Sequence, residues 1–451
     1  MAAVAEAIRA EFAGIVGNGH LTANDTARGQ LAIDGRVPDC VVYPYSAEQV
    51  AQMLRCAAEH DQAVAACGGA TSLGIGNIPR KYDVALCMRN ITNVRYYEPS
   101  DLTAGIGAGM KLADLQNLLS RDGLWLPLDP PGDGQATIGG IAATNASGPL
   151  RQFYGAPRDM VVGMQVAITE GKLIKTGGRV VKNVAGYDLG KLLIGSYGTL
   201  GIITEVNLKL FPLPSERRTF ILSTGTLGIA RDLRRNILRS PIDPLRMVLL
   251  DAEAARMVYS ASRLDHAGHE PQMWLEAGGS QSVLDRTRKE LDALGRAVGA
   301  KVCAHEKESA QAAWQVISDF SNWLGRACPG AVVMKSTVPI ASSEEFLSLA
   351  QQEAQNERVR MASVAQSGVG ILYLGLLDSL KVSQMAGLIG RIRKAAEKAG
   401  GALVVVSAAT DLKAQLDVWG PPGSGFDLMR KMKAAWDPKG ILAPGRFLGS
   451  I

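Results

Sequence analysis

A chain of 451 residues is too long for a single core and implies two or three domains, each large enough to bury a sound interior. Its composition, 47% hydrophobic and 20% charged, is that of an ordinary globular protein and excludes disorder and fibrous repeats. The net charge of +5 is spread without runs of one sign, which excludes a nucleic-acid surface and leaves a weak attraction for anionic ligands or lipid headgroups.

Met1 to Gly19 carries Glu6, Arg9 and Glu11 in an amphipathic pattern, and no apolar run reaches about 18 residues, so neither a spanning helix nor a secretion signal is expected. Cys40 to Pro44 reads as a short strand. Ser46, with Gln49 at the capping-box position, starts a helix through His60. Val64 to Ala66 reads as a strand feeding a glycine loop, Asp83 to Met88 and Leu102 to Ile106 as strands, and Leu112 to Arg121 as a helix. Strands follow at Met160 to Thr169 and Leu200 to Leu210, and the proline pair in Phe211-Pro212-Leu213-Pro214 marks a domain boundary.

From Arg218 glycine thins out. Strands are expected at Phe220 to Leu222, Arg246 to Leu250, Met273 to Ala277, Val332 to Thr337, Gly370 to Leu374 and Ala402 to Val406. Helices are expected near 281–294, 308–324, 343–356 and 381–398. This texture predicts an α+β domain with helices packed on a largely antiparallel sheet. A last helix beginning at Asp427 is stopped by Asp437-Pro438. No internal repeat is visible.

Two sets of residues bear on chemistry by what they lack. Cys40, Cys56, Cys67, Cys87, Cys303 and Cys328 show no Cys-x-x-Cys spacing and read as reduced structural thiols, so no metal is expected and electrons would leave through another subunit or a soluble carrier. The histidines are His20, His60, His266, His269 and His305, and the pair His266-x-x-His269 reads as solvated loop.

The positive signal is glycine. Residues 66–201 hold 23 of the 50 glycines in under a third of the chain. One cluster runs from Cys67 to Gly76, a second from Thr137 to Pro149, and a third from Gly195 to Thr204, with Lys182 to Leu189 between the last two. Glycine beside small and hydroxyl residues suits a backbone that must approach an extended, phosphate-bearing ligand. Gly105-x-Gly107-x-Gly109 lacks the Gly-x-Gly-x-x-Gly spacing and its acidic partner, so it reads as a strand-to-helix turn, not a nicotinamide site.

These motifs resemble the FAD-linked oxidases of the vanillyl-alcohol oxidase type, from about Val37 to Pro214 with a matching tail at 427–446. Within that superfamily the run Lys182-Asn-Val-Ala-Gly-Tyr-Asp-Leu189 is similar to bacterial glycolate oxidase subunits and their D-lactate dehydrogenase relatives. The resemblance implies an α+β protein with a two-part FAD-binding domain at 37–216, an N-terminal helical segment at 1–36, an α+β cap domain with a largely antiparallel sheet at 217–411, and a segment at 412–451 returning to the FAD domain. It implies that Ala66, Cys67, Gly68, Gly69, Ala70, Thr71 and Ser72 hold the FAD pyrophosphate. Pro131, Gly132, Asp133, Gly134, Thr137, Gly139, Gly140, Thr144, Asn145, Ala146 and Ser147 would line the flavin and ribityl side. Tyr197, where the family often has an acidic residue, would pack with Gly198, Thr199, Leu200, Gly201, Ile202 and Ile203 along the adenosine half. Covalent relatives use a histidine where this chain has Ala70, which implies non-covalent FAD.

The hydroxy-acid dehydrogenases of this group activate substrate with a His-x-x-x-Asp-Gly-Asn-x-His segment that supplies metal ligands and a base, and this sequence has none. No catalytic residue is named on that basis. Lys335 could face the flavin or be merely exposed. The resemblance implies the smaller flavin subunit of a glycolate oxidase complex, cytoplasmic or peripheral to the inner membrane through its partners. Those partners would be a homologous catalytic flavin subunit and an iron-sulfur subunit, with a small 2-hydroxy acid as substrate of the complex. A self-sufficient 2-hydroxy-acid dehydrogenase and a scaffold subunit with a redox-inactive flavin stay open.

Overall fold

The computed structural model describes residues 2–132, 134–179, 188–264, 269–305 and 307–451. The chain divides into two units: residues 1–146, 156–213 and 421–451 form the first, and residues 147–155 and 214–420 the second.

The first unit is built on two sheets. In the smaller, Cys40–Val42, Val84–Cys87 and Val64–Cys67 run parallel, and Leu21–Thr22 adds antiparallel to Cys40–Val42. The helix Ala47–Glu59 makes the crossover, buries Val50, Met53, Leu54 and Cys56, and begins where the Ser46 hydroxyl accepts from the Gln49 amide at 3.2 Å. Half of the expected capping box is absent: the Gln49 side chain takes the Tyr45 amide instead, at 2.8 Å. The larger sheet is antiparallel, in the order Val94–Glu98, Thr103–Gly107, Ile202–Lys209, Val161–Ala167, Leu173–Gly177. The first proline of the pair lies in a short strand, Phe211–Pro212, against Leu124–Trp125, and the second, Pro214, opens the second unit's main segment.

The second unit holds one antiparallel sheet of eight strands. The order is Lys301–His305, Glu216–Ser223, Gln272–Gly279, Arg246–Leu250, Met361–Gln366, Ile371–Leu376, Val332–Thr337, Ala402–Ser407. Arg246–Leu250 and Val332–Thr337 form as expected. The strands Lys301–His305 and Met361–Gln366 and the helices Leu227–Leu238 and Ala252–Ser262 were not expected, and the helix expected at 308–324 is two helices, Lys307–Ser318 and Phe320–Ala327.

In chain order the two halves of this sheet repeat one strand arrangement, although no repeat is visible in the sequence. The last four strands of the unit follow a strand-helix-strand-strand-helix-strand path, and the first four follow the same path with one more helix, Ala252–Ser262, between the second and third strands; in each half the first strand lies between the third and the fourth. The halves join through their second strands, with Leu249 opposite Ala365 and Leu250 opposite Val364. Their first helices, Leu227–Leu238 and Ser343–Asn356, are tied by a buried two-pronged ion pair from Arg234 to Glu344 at 2.7 and 2.8 Å. Asp251 adds a second tie, accepting from the Ser363 hydroxyl at 2.6 Å, and burial pushes its carboxyl up to about 6.

Candidate flavin site

The first glycine cluster leaves the end of the strand Val64–Cys67 as a run of turns. Ala66 and Cys67 belong to the strand, Gly68 to Ser72 are partly or fully accessible, and Ala70 sits in the left-handed region at φ +59°. The amides of Gly69, Ala70 and Ser72 donate to no group among the described residues, which leaves backbone N–H groups for an anion. The glycines themselves answer to a neighbouring segment. A Cβ on Gly69 would stand 1.8 Å from the Gln135 carbonyl oxygen, and one on Gly68 2.0 Å from the Thr137 hydroxyl. Bare backbone at 68 and 69 is required by the packing of one loop on the next.

The second cluster is part helix, not loop. Thr137 caps the helix Ile138–Thr144, its hydroxyl accepting from the Gly140 amide. Gly139 lies against Ala108, where a Cβ would meet the Ala108 methyl at 2.6 Å. Gly132 packs on Thr71, Thr144 returns its hydroxyl to the Gly140 carbonyl at 2.8 Å, and Pro131 and Gly134 flank the turn before the helix. Asn145 ends the helix at φ +49°, and its buried Oδ1 has no partner among the described residues. Ala146 closes the first unit's segment, whereas Ser147 groups with the second unit, where Arg151 donates to its hydroxyl at 3.4 Å. Asp133 and the run Lys182 to Tyr187, with His266, lie outside the described residues.

The third cluster docks on the C-terminal end of that helix. The Gly195 amide donates to the Ala142 carbonyl at 3.2 Å and the Tyr197 amide to the Ala143 carbonyl at 2.8 Å. Tyr197 takes the left-handed conformation at φ +54°, Gly198 follows at +71°, and the Tyr197 ring lies 5.7 Å from that of Phe447. Thr199 folds its hydroxyl onto the Ser196 carbonyl, while Leu200, Gly201, Ile202 and Ile203 are buried as the chain enters its strand.

The first and third clusters are also tied to the tail, and here the structure supplies residues that motif reading missed. Lys433 is buried and donates to Asp437 at 2.7 Å, to the Leu442 carbonyl at 2.8 Å and to the Thr199 carbonyl at 2.8 Å, so it fastens the third cluster. Burial pulls its pKa down, against the opposing pull of Asp437. Asp437 accepts in turn from the Ile441 and Leu442 amides. The tail then pairs with the strand Val64–Cys67, Val64 donating to the Ile441 carbonyl and Ala443 to the Val64 carbonyl. Arg446 ends the run with one nitrogen on the carbonyls of both Leu73 and Ile75, which fixes the far side of the first cluster. The signal for these roles was the spacing Lys433-x-x-x-Asp437, one helical turn apart and just before a proline.

Beneath the first cluster, Cys67 and Cys87 face each other across the parallel ladder. Cys67 hydrogen-bonds Cys87 and the Arg89 guanidinium donates to the Cys87 sulfur at 3.1 Å, so Cys87 holds the lower pKa of the two and Cys67 the higher. In the second unit, Lys335 is half-buried on its strand, 5.9 Å from the Tyr373 ring it pairs with. Burial, with Arg151 nearby, brings its pKa down to about 8.

The free amides at 69, 70 and 72, the orphaned Asn145 oxygen and the close-packed glycine backbone fit a dinucleotide with a pyrophosphate. The comparisons agree. Residues 38–177 match the FAD binding domain and residues 213–447 the C-terminal domain of FAD linked oxidases. The chain is 26% identical over 418 residues to glycolate oxidase subunit GlcD of Bacillus subtilis, covering 91% of this chain and 89% of that one. Over 149 residues it is 42% identical to glycolate oxidase subunit GlcE of Escherichia coli, covering 32% of this chain and 42% of that one. Among solved structures, 4-ethylphenol oxidase from Gulosibacter chungangensis superposes with a TM-score of 0.77 at 15% identity, over 98% of this chain and 96% of the other. At that identity the likeness shows the fold: a two-part FAD-binding domain of the vanillyl-alcohol oxidase type with an α+β cap. The cofactor is FAD, the activity is oxidoreduction, and the chain belongs to the FAD-linked oxidases.

Proposed function

We propose that this chain is the FAD-binding subunit of a multi-subunit glycolate oxidase or dehydrogenase. The complex would oxidise glycolate, or D-lactate, to the 2-oxo acid and pass electrons to an iron-sulfur partner subunit. The observation that carries the reading is the cradle of three glycine clusters, the first and third of them held by the tail through Arg446 and Lys433, in a sequence without the histidine segment that activates substrate in the resembling dehydrogenases. Similarity to subunits named for glycolate oxidase supports the substrate class.

In this reading the amides from Gly68 to Ser72 bind the pyrophosphate, with the hydroxyls of Thr71 and Ser72 beside them. Pro131, Gly132, Gly134 and Thr137, with Thr144 to Ala146, line the flavin side, and Tyr197 to Ile203 the adenosine half. Bound FAD would supply a carrier for the electron pair on its way from the partner flavin subunit to the iron-sulfur subunit. The chain's own residues orient it and exclude water, and the base that takes the hydroxyl proton belongs to the partner flavin subunit. Ala70 offers no nucleophile, so FAD is held without a covalent bond, and acid precipitation should leave a colourless pellet under a yellow supernatant.

Among the described residues no helix is long and apolar enough to cross a membrane. The reading places the complex in the cytoplasm, with any membrane contact made through partners. Co-expression with the neighbouring genes, followed by affinity purification and counts of flavin and iron, tests the assignment. We expect a complex with more than one FAD, with iron, and with glycolate-dependent dye reduction that this chain alone lacks. Steady turnover of glycolate or D-lactate by the isolated chain would replace the subunit reading with a self-sufficient dehydrogenase. A flavin that stays oxidised in the working complex would reduce the chain to a scaffold.

A further inference from the structure

The helix Ala2–Val16 packs against the helix Ala47–Glu59, with Ile8, Phe12, Val50 and Met53 in their shared core. Three side chains that the flavin cradle does not use meet on this pair. Glu11 comes from the first helix; Cys56 and His60 stand four residues apart, on one face at the end of the second. Glu11 Oε2 lies 2.8 Å from His60 Nε2, the Cys56 thiol hydrogen-bonds Glu11, and the three ligand atoms all fall within 4.8 Å of one another. A surface carboxylate-imidazole pair alone contributes little and needs no sulfur beneath it. Here Cys56 is 3% exposed while the Glu11 and His60 side chains are 49% and 37% exposed, so the donors form a shallow cup with the sulfur as its floor.

We propose that Glu11, Cys56 and His60 form a zinc-binding site with one position left for water. Sulfur, imidazole nitrogen and carboxylate oxygen together suit zinc and disfavour magnesium and calcium, which prefer oxygen alone. Bond lengths of about 2.0–2.3 Å set donor atoms roughly 3.3–3.7 Å apart in a tetrahedron, so side-chain rotations of about 1 Å close the present arrangement on the ion. The thiol proton passes to solvent on binding. Because both helices are anchored in one core, the metal would staple the N-terminal helix to the helix that leads into Val64–Cys67 and the first glycine cluster. This site is independent of the proposed function.

The test uses the full-length chain with its flavin, freed of metal by a chelator and titrated with zinc chloride against a chromogenic competitor. One zinc per chain and a rise in melting temperature on adding zinc are expected. Cys56→Ser and His60→Gln should each weaken binding at least tenfold and abolish the thermal shift, with flavin content unchanged. If Cys56→Ser fails to fold, cobalt replaces zinc as the probe. Wild-type protein must then show a thiolate-to-cobalt charge-transfer band that His60→Gln weakens. No zinc retained above the variants' background, equal binding in all three proteins, or no cobalt-thiolate band overturns the proposal.

Discussion

Both units bury charged side chains, but they use them differently. In the first, Lys433 donates to the Thr199 carbonyl of the third glycine cluster and Arg446 to the Leu73 and Ile75 carbonyls of the first, so the buried charge shapes a site. In the second, Arg234 and Glu344 meet each other across the join of the sheet's two halves, and the buried charge fixes register between them. Similar groups therefore answer to ligand geometry in one unit and to fold specification in the other. Variants separate the two, because one set should move flavin binding together with stability and the other stability alone.

The largest effects are expected from breaking these pairs. Glu344→Gln strands the Arg234 guanidinium and should cost about 3–5 kcal/mol in urea unfolding, with flavin per folded molecule unchanged. Asp437→Asn strands buried Lys433 and should cost a similar amount, on the order of 3 kcal/mol, while also lowering flavin content as Thr199 loses its anchor. Equal flavin loss in both variants would erase the contrast.

Next comes Gly69→Ala, whose methyl collides with the Gln135 carbonyl. It should cost about 1–3 kcal/mol of stability and weaken FAD at least tenfold by equilibrium dialysis. Lys335→Met sharpens the view of the second unit. The lysine's folded pKa of about 8 lies below its usual value, so the folded state penalises the charged form below pH 8, and the penalty disappears as pH rises toward the unfolded value near 10.5. Wild-type stability relative to Lys335→Met should therefore climb between pH 8 and 10.5, by at most about 1.4 kcal/mol per pH unit. A flat difference would mean that Lys335 is solvated. The smallest change is expected at Ala70→Gly, which relieves a left-handed alanine at the cost of unfolded-state freedom. A shift within about 1 kcal/mol, with FAD still released by acid, fits that balance.

Much of the first unit was legible because its demands are local. A strand running into Gly68-Gly69 and a Ser46 cap are dictated by near neighbours in sequence. The helix Ile138–Thr144 was not, because two glycines in seven residues argue against a helix, and only the Thr137 cap and the close approach of Ala108 make one there. The tail's role was half visible: its motif marked the family, but nothing in it said that Arg446 would reach carbonyls at 73 and 75. In the second unit the strand Met361–Gln366 hid because all six of its residues are buried, which removes the alternation that betrays a strand.

The sequence by itself determined the family, the cofactor and the small-residue clusters, because these depend on residue type and short-range spacing. Tertiary structure alone decided which backbone meets which: that glycine at 69 makes room for Gln135, that Lys433 reaches Thr199, that two unlike halves form one sheet, and that Glu11 stands over Cys56 and His60. Such pairings join residues tens to hundreds of positions apart. Their energy comes from desolvation and hydrogen bonds that exist only once the chain has closed on itself, so no local pattern records them.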